Sequence, residues 1–172
     1  MKREKMNINK IEITKIAQCV LSECIEGDID PYIISLALSF GCMANEDFDT
    51  PSLIISVATE EEVLEMKKSD SFKELIWNQA EYDNQEMAYE CIEQYFGRDC
   101  EPMQEYFYVE HGWDFYINLL LDVKEEFRDY FVEKSSLLPI VYVQEITDDA
   151  TTVIEMNFTE EERVKLKELG LL

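Results

Sequence analysis

PYIISLALSFG, residues Pro31 to Gly41, sets apolar and β-branched side chains almost without interruption between a proline and a glycine, and it carries no charge. A short apolar run bounded by turn-forming residues reads as a strand. The acidic stretch MANEDFDTP follows, and then SLIISVA, Ser52 to Ala58, has the same character. The two runs are predicted to pair as a hairpin with a long loop. Further along, LLPIVYVQEI, Leu137 to Ile146, is apolar through most of its length, the pattern of a central strand covered on both faces. Thr151 to Met156 is read as a weaker strand beside it.

Helical signals surround these runs. Asn9, with Glu12 three residues later, is predicted to open a helix whose apolar positions Ile13, Ile16, Ala17, Val20 and Cys24 repeat with helical period; Gly27 closes it. Thr59 and Glu62 make a second capping-box pattern, and Thr159 with Glu162 a third, ahead of Val164, Leu166 and Leu169. Ser71 to Tyr82 reads equally as helix or strand. From Asn84 the stripe Met87, Ala88, Cys91, Ile92 and Tyr95 predicts another helix, stopped at Gly97, with Arg98 to Pro102 as a loop. Asp114 is placed as the cap of the longest helix, whose stripe runs through Tyr116, Leu119, Leu120, Val123, Phe127, Tyr130 and Phe131. The expected fold is α+β, with α/β as its neighbour: a single sheet of about four or more strands covered by helices. With 172 residues and 47% apolar composition, the chain is read as one domain over residues 1–172, with residues 1–7 as an unordered leader.

Charge narrows the function classes. Lys and Arg number 15 against 38 Asp and Glu, a formal net charge of -23. Residues 1–15 hold five bases and two acids, so they carry +3 and residues 16–172 carry -26. A body this acidic repels phosphate backbones, which argues against direct nucleic-acid binding, and it attracts cationic surfaces. A basic protein is therefore the expected partner. The start MKREKMNINKIEI lacks an apolar core for a signal peptide, and no run of about 18 uncharged apolar residues occurs. A cytoplasmic location without a membrane anchor is expected. Cys19, Cys24, Cys42, Cys91 and Cys100 form an odd set without a CxxC pair and are read as free thiols.

Motifs for chemistry are sparse. The five glycines are too scattered for a phosphate-cradling loop, no GxSxG occurs, and NEDFDT has Thr50 and Ser56 where a calcium loop needs Gly and Glu. No cofactor or metal is expected. His111, the only histidine, stands at a helix boundary; a small enzyme using His111 with Glu105, Glu110 or Asp114 is the alternative reading, and an acidic nucleic-acid mimic is another. Glu86, Glu90 and Glu93 fall three and four apart on the face opposite Met87 and Cys91, a stripe that Asp99, Glu101 and Glu105 extend. Tyr106 and Tyr108 follow as aromatic anchors, and these eight residues are the candidate partner-binding set.

The order of these elements carries a resemblance. IISLALSFG through SLIISVATEEEVLE, then ELIWNQAEY, a long aromatic helix, LPIVYVQEI and a short C-terminal helix resembles a family of uncharacterised bacterial domains met near polymorphic toxin loci. It covers most of the chain, with the ATEEE helix opening and Trp77 as its nearest approach to motifs. The resemblance implies an immunity protein that binds and blocks one toxin, and it transfers no catalytic residue.

Overall fold

Three strands, β1 (Ile33–Phe40), β2 (Pro51–Ala58) and β3 (Ile140–Glu145), make one mixed sheet in the order β2-β1-β3. This is seen in a computed structural model that describes residues 10–40, 51–96, 113–135, 139–145 and 148–172. The predicted hairpin partners pair antiparallel, with Ser35 opposite Ser56, and β3 lies parallel on the other side of β1, with Tyr142 opposite Ser35. Among the described residues the helices are α1 (Lys10–Glu26), α2 (Glu60–Met66), α3 (Phe72–Ile76), α4 (Tyr89–Phe96), α5 (Trp113–Ser135), α6 (Ala150–Asn157) and α7 (Glu160–Glu168), with a 3-10 turn at Gln79–Glu81. Among the described residues no helix is long and apolar enough to cross a membrane.

Side-chain alternation divides the core in two. Ile34, Leu36, Leu53, Ile55, Val57, Val141 and Val143 point to one face, where α1, α4 and α5 supply Val20, Ile92, Leu120, Phe127 and Phe131. Ile33, Ala58 and Tyr142 point to the other, against Val63, Ile76, Trp77, Val153, Phe158, Leu166 and Leu171. Helices thus cover both faces, and a strand buried on both faces must be apolar without alternation. Trp77 is central to the second cluster: its indole N–H donates to the Leu171 carbonyl at 3.1 Å, and its ring meets Tyr142 edge-on with centroids 5.3 Å apart.

Several expectations change here. The sheet of the described residues has three strands, fewer than expected, because Thr151 to Met156 belongs to a helix. Asp149 accepts the Thr152 N–H at 2.8 Å as its cap, and the buried residues Ala150, Val153 and Asn157 fall at i, i+3 and i+7, a helical spacing that outweighs the β-branched composition. The central strand is β1, and β3 lies at the sheet's edge although Val141 to Gln144 are buried. Asp114 lies inside the first turn of α5, which starts at Trp113. Both capping boxes, Thr59 with Glu62 and Thr159 with Glu162, form as predicted; Asn9 lies outside the described residues.

The end of α1 also differs. Ile29 N–H reaches back to Cys24 O at 2.8 Å and Asp28 N–H to Ile25 O at 3.3 Å, the two bonds of a Schellman cap. The left-handed residue of that cap is Asp28, at φ 54, and Gly27 precedes it. At α7 the same motif has its glycine in place, Gly170 at φ 67.

Both edges of the sheet are occupied. On the β2 side, Val57 N–H donates to Asn84 O at 2.8 Å and Met87 N–H to Ile55 O at 2.9 Å. On the β3 side a single side chain stands in for a strand. Asn157 accepts the Val143 N–H at 2.7 Å and donates to Val143 O at 2.6 Å, and its amide also reaches Val153 O at 2.9 Å. The buried Lys124 ammonium donates to the Asn157 carbonyl and lies 5.2 Å from the centroid of the Phe158 ring.

Asn157→Ala strips the edge of β3 and leaves buried backbone groups unpaired, so urea unfolding is expected to show a loss of about 2–4 kcal/mol. A loss below about 0.5 kcal/mol would contradict the edge role. Asp28→Gly relieves a left-handed side chain and is expected to add about 0.5–1 kcal/mol in the same assay.

Candidate functional site

Two of the predicted acids, Glu86 and Glu90, lie near where α1 meets the segment before α4. Asn84 pairs with β2, and Met87 turns into the core, which leaves Glu86 on the outside. To pass from this strand-like bridge into α4, the chain takes left-handed conformations at Glu86 (φ 58) and Ala88 (φ 57). Each costs roughly 1–2 kcal/mol for a residue with a side chain. The cost is offset by tight anchoring: Ala88 N–H donates to the Glu23 carboxylate at 2.8 Å, and Asp83 N–H donates to the Glu62 carboxylate at 2.9 Å. A disulfide between Cys19 and Cys91 joins α1 to α4 one turn further along.

This disulfide corrects the free-thiol expectation for two of the five cysteines. The partners are 72 residues apart, and helix packing creates their proximity, so no local spacing announces the pair. Cys24 is free and buried; Cys42 and Cys100 lie outside the described residues. Closing a loop of 72 residues removes denatured-state entropy worth about 4 kcal/mol in the chain-entropy account.

Glu86 and Glu90 are exposed, but they do not share a helical face, because Glu86 precedes α4. Glu93 lies on α4, and Asp99, Glu101, Glu105, Tyr106, Tyr108 and His111 lie outside the described residues. The aromatic beside the acids is Tyr89, 46% exposed between Glu86 and Glu90. Its position off the Met87, Ala88, Cys91 and Ile92 stripe was the available signal.

A second set of acids joins this surface through Glu23. Glu23, Glu26, Asp28 and Asp30 are exposed around the C-terminal end of α1, whose last turn contains no base. Segments 21–30 and 74–92 together hold nine acids and no Lys or Arg. Among the described residues the ion pairs sit on α2, α5 and α7, for example Arg128 with Glu125 at 2.6 Å and Arg163 with Glu160 at 2.8 Å, and none uses Glu23, Glu86 or Glu90.

A buried polar row on the other face of the sheet is the one place among the described residues that resembles an enzyme's interior. Ser56, Ser35 and Tyr142 stand side by side across the three strands. Tyr82 donates its only hydroxyl hydrogen to Ile76 O at 2.5 Å, so the 2.9 Å bond between the two phenols is donated by Tyr142. Ser56 donates to Gln79 Oε1 at 2.6 Å, and Gln79 N–H to Gln144 Oε1 at 3.1 Å. The Ser35 hydroxyl lies near enough to Tyr142 to favour its ionised form, yet it meets no partner at full hydrogen-bond geometry among the described residues. Every member of the row is 2% exposed or less, so no substrate reaches it. Burial pushes both phenols up, the opposite of what an activated group needs. Among the described residues no group of His, Cys, Asp and Glu is placed to hold a metal ion. The row is a packing device that fixes the register of three strands.

Compared with known proteins, the chain matches no family model, no curated protein and no solved structure.

Burial, with Glu23 and Asp30 nearby, also pushes the Cys24 thiol up from 9.0 to about 11. The folded state holds the protons of Cys24, Tyr82 and Tyr142 more tightly than the unfolded chain does. Stability from these groups is therefore complete below pH 9, and it falls from pH 9 to about 11 for Cys24 and above pH 10 for the phenols. Urea midpoints are expected to drop steadily above pH 9, and Cys24→Ala to flatten the first part of that drop. An unchanged slope in the variant would contradict the assignment.

Proposed function

We propose that the chain is an acidic protein-binding module that captures a basic partner, in its most specific form an immunity protein that neutralises a cognate basic toxin. The observation that carries this reading is where the acids lie. Glu60, Glu61 and Glu62 on α2 and Glu160, Glu161 and Glu162 on α7 occupy helix N-termini, where the helix dipole favours them. Glu23, Glu26 and Asp28 occupy the opposite kind of position. They crowd the negative end of α1, with no base in its last turn, and the exposed Glu86 and Glu90 flank Ala88, whose N–H is bound by Glu23. Acids at a helix C-terminus cost about 0.3–1 kcal/mol each when exposed; Glu23 recovers this by anchoring Ala88 N–H, but stability does not explain Glu26 and Asp28. Local rules are broken in this way where a surface serves recognition.

Exposed carboxylates contribute little net affinity, about 0–1 kcal/mol per pair, but a one-signed surface raises the association rate with a cationic protein by roughly ten to a thousandfold at low salt. Residence then depends on an anchor that packs against the partner, the role assigned to Tyr89.

Affinity capture on the immobilised chain is expected to recover a basic protein at low salt that is released at high salt. With that protein, a Glu86→Lys/Glu90→Lys variant should associate about tenfold or more slowly with little change in dissociation. Tyr89→Ala should mainly speed dissociation. Recovery of no basic partner, or a charge-reversed variant that binds like the parent, would overturn the proposal.

A further inference from the structure

We infer that the Cys19–Cys91 bond is a dithiol-reducible latch that holds the segment Asn84 to Cys91 along the outer edge of β2. This is independent of any partner. Two opposed sets of interactions act on the segment. Holding it down are the bonds Val57 N–H to Asn84 O and Met87 N–H to Ile55 O, the Glu23 carboxylate on Ala88 N–H, the buried side chains of Met87 and Ile92, and the disulfide. Pushing against it are the left-handed Glu86 and Ala88, conformations that persist only where their surroundings over-determine them.

The two ties to α1 lie on consecutive turns. Residue 19 meets 91 and residue 23 meets 88, so the segment is sewn to α1 at two points, one covalent and one a single hydrogen bond to an exposed carboxylate. Removing the covalent tie leaves the weaker one.

Cys19 and Cys91 are both only half-buried, within reach of a small dithiol, whereas Cys24 is buried and takes no part. A thiolate of the reductant attacks one sulfur of the pair, the Sγ–Sγ bond breaks, and the other cysteine leaves as a thiolate that takes up a proton. The second thiol of the reductant then displaces the first cysteine and closes the reductant's own disulfide. Two electrons and two protons pass to Cys19 and Cys91, and the reductant is oxidised. The loosened segment bares the Ile55 carbonyl and the Val57 N–H.

The test is amide hydrogen exchange, followed residue by residue by NMR, on the full chain isolated oxidised, with and without dithiothreitol. Reduction is expected to speed exchange at Val57, Met87 and Ala88 by about tenfold or more beyond any acceleration of the Val143 amide, which is held by Asn157 on the opposite edge and reports the loss of global stability alone. Cys91→Ser should reproduce the fast exchange without reductant and show no further response to it; should that variant not fold, the oxidised and reduced parent chains still decide. The inference is overturned if Val143 accelerates as much as Val57, if none of the three amides responds, or if iodoacetamide labels Cys19 and Cys91 before reduction.

Discussion

Covering β1 on both faces and along both flanks is the constraint from which the rest of the architecture follows. Ile33, Ile34, Leu36 and Ala37 are fully buried, and each large aliphatic side chain taken from water stabilises by about 1.5–3 kcal/mol. That burial needs two strand neighbours in register and a helical layer above and below. Three strands leave two edges close to the centre of the molecule, so the backbone groups of β2 and β3 must find partners without further strands. The Asn84 to Met87 segment supplies them on one side and Asn157 on the other. Each solution has a consequence: the first imposes left-handed backbone at Glu86 and Ala88, and the second draws Lys124 into the interior to meet the Asn157 carbonyl, where burial lowers its tendency to hold a proton.

The acidity of the chain has two physical origins. One is structural: Glu62 and Glu162 close capping boxes, and Asp149 caps α6. The other has no such explanation. Glu23 does anchor Ala88, but Glu26, Asp28 and Asp30 stand around the end of a helix that would be more stable with bases there. The position of each acid, rather than the net charge, separates the carboxylates that cap helices from those that no helix terminus explains.

Much of this was legible in the sequence. The β1 and β2 runs, the stripe of α5 and both Thr–Glu capping boxes depend on local pattern, and local pattern is what a sequence displays. The helix at Ala150–Asn157 is hidden by composition, because Thr151, Thr152, Val153 and Ile154 are β-branched; the Asp149 cap and the spacing of Ala150, Val153 and Asn157 outweigh it. Other features are created by tertiary contact and leave no local trace. Asn157 standing in for a strand, Cys19 meeting Cys91 across 72 residues, and the coincidence of Ser56, Ser35 and Tyr142 in one row all depend on which elements become neighbours. Tyr89, one step off the apolar stripe, is exposed as such a position predicts, while Tyr106 and Tyr108 lie outside the described residues.

The measurement that bears most directly on this account is native-state hydrogen exchange of the β1 amides under increasing urea. If β1 is the strand everything else covers, the amides of Ile33 to Leu38 are the slowest in the chain and exchange only through global unfolding, with a free energy equal to that from denaturant titration. β1 amides that exchange through a smaller, local opening while α5 stays protected would contradict it.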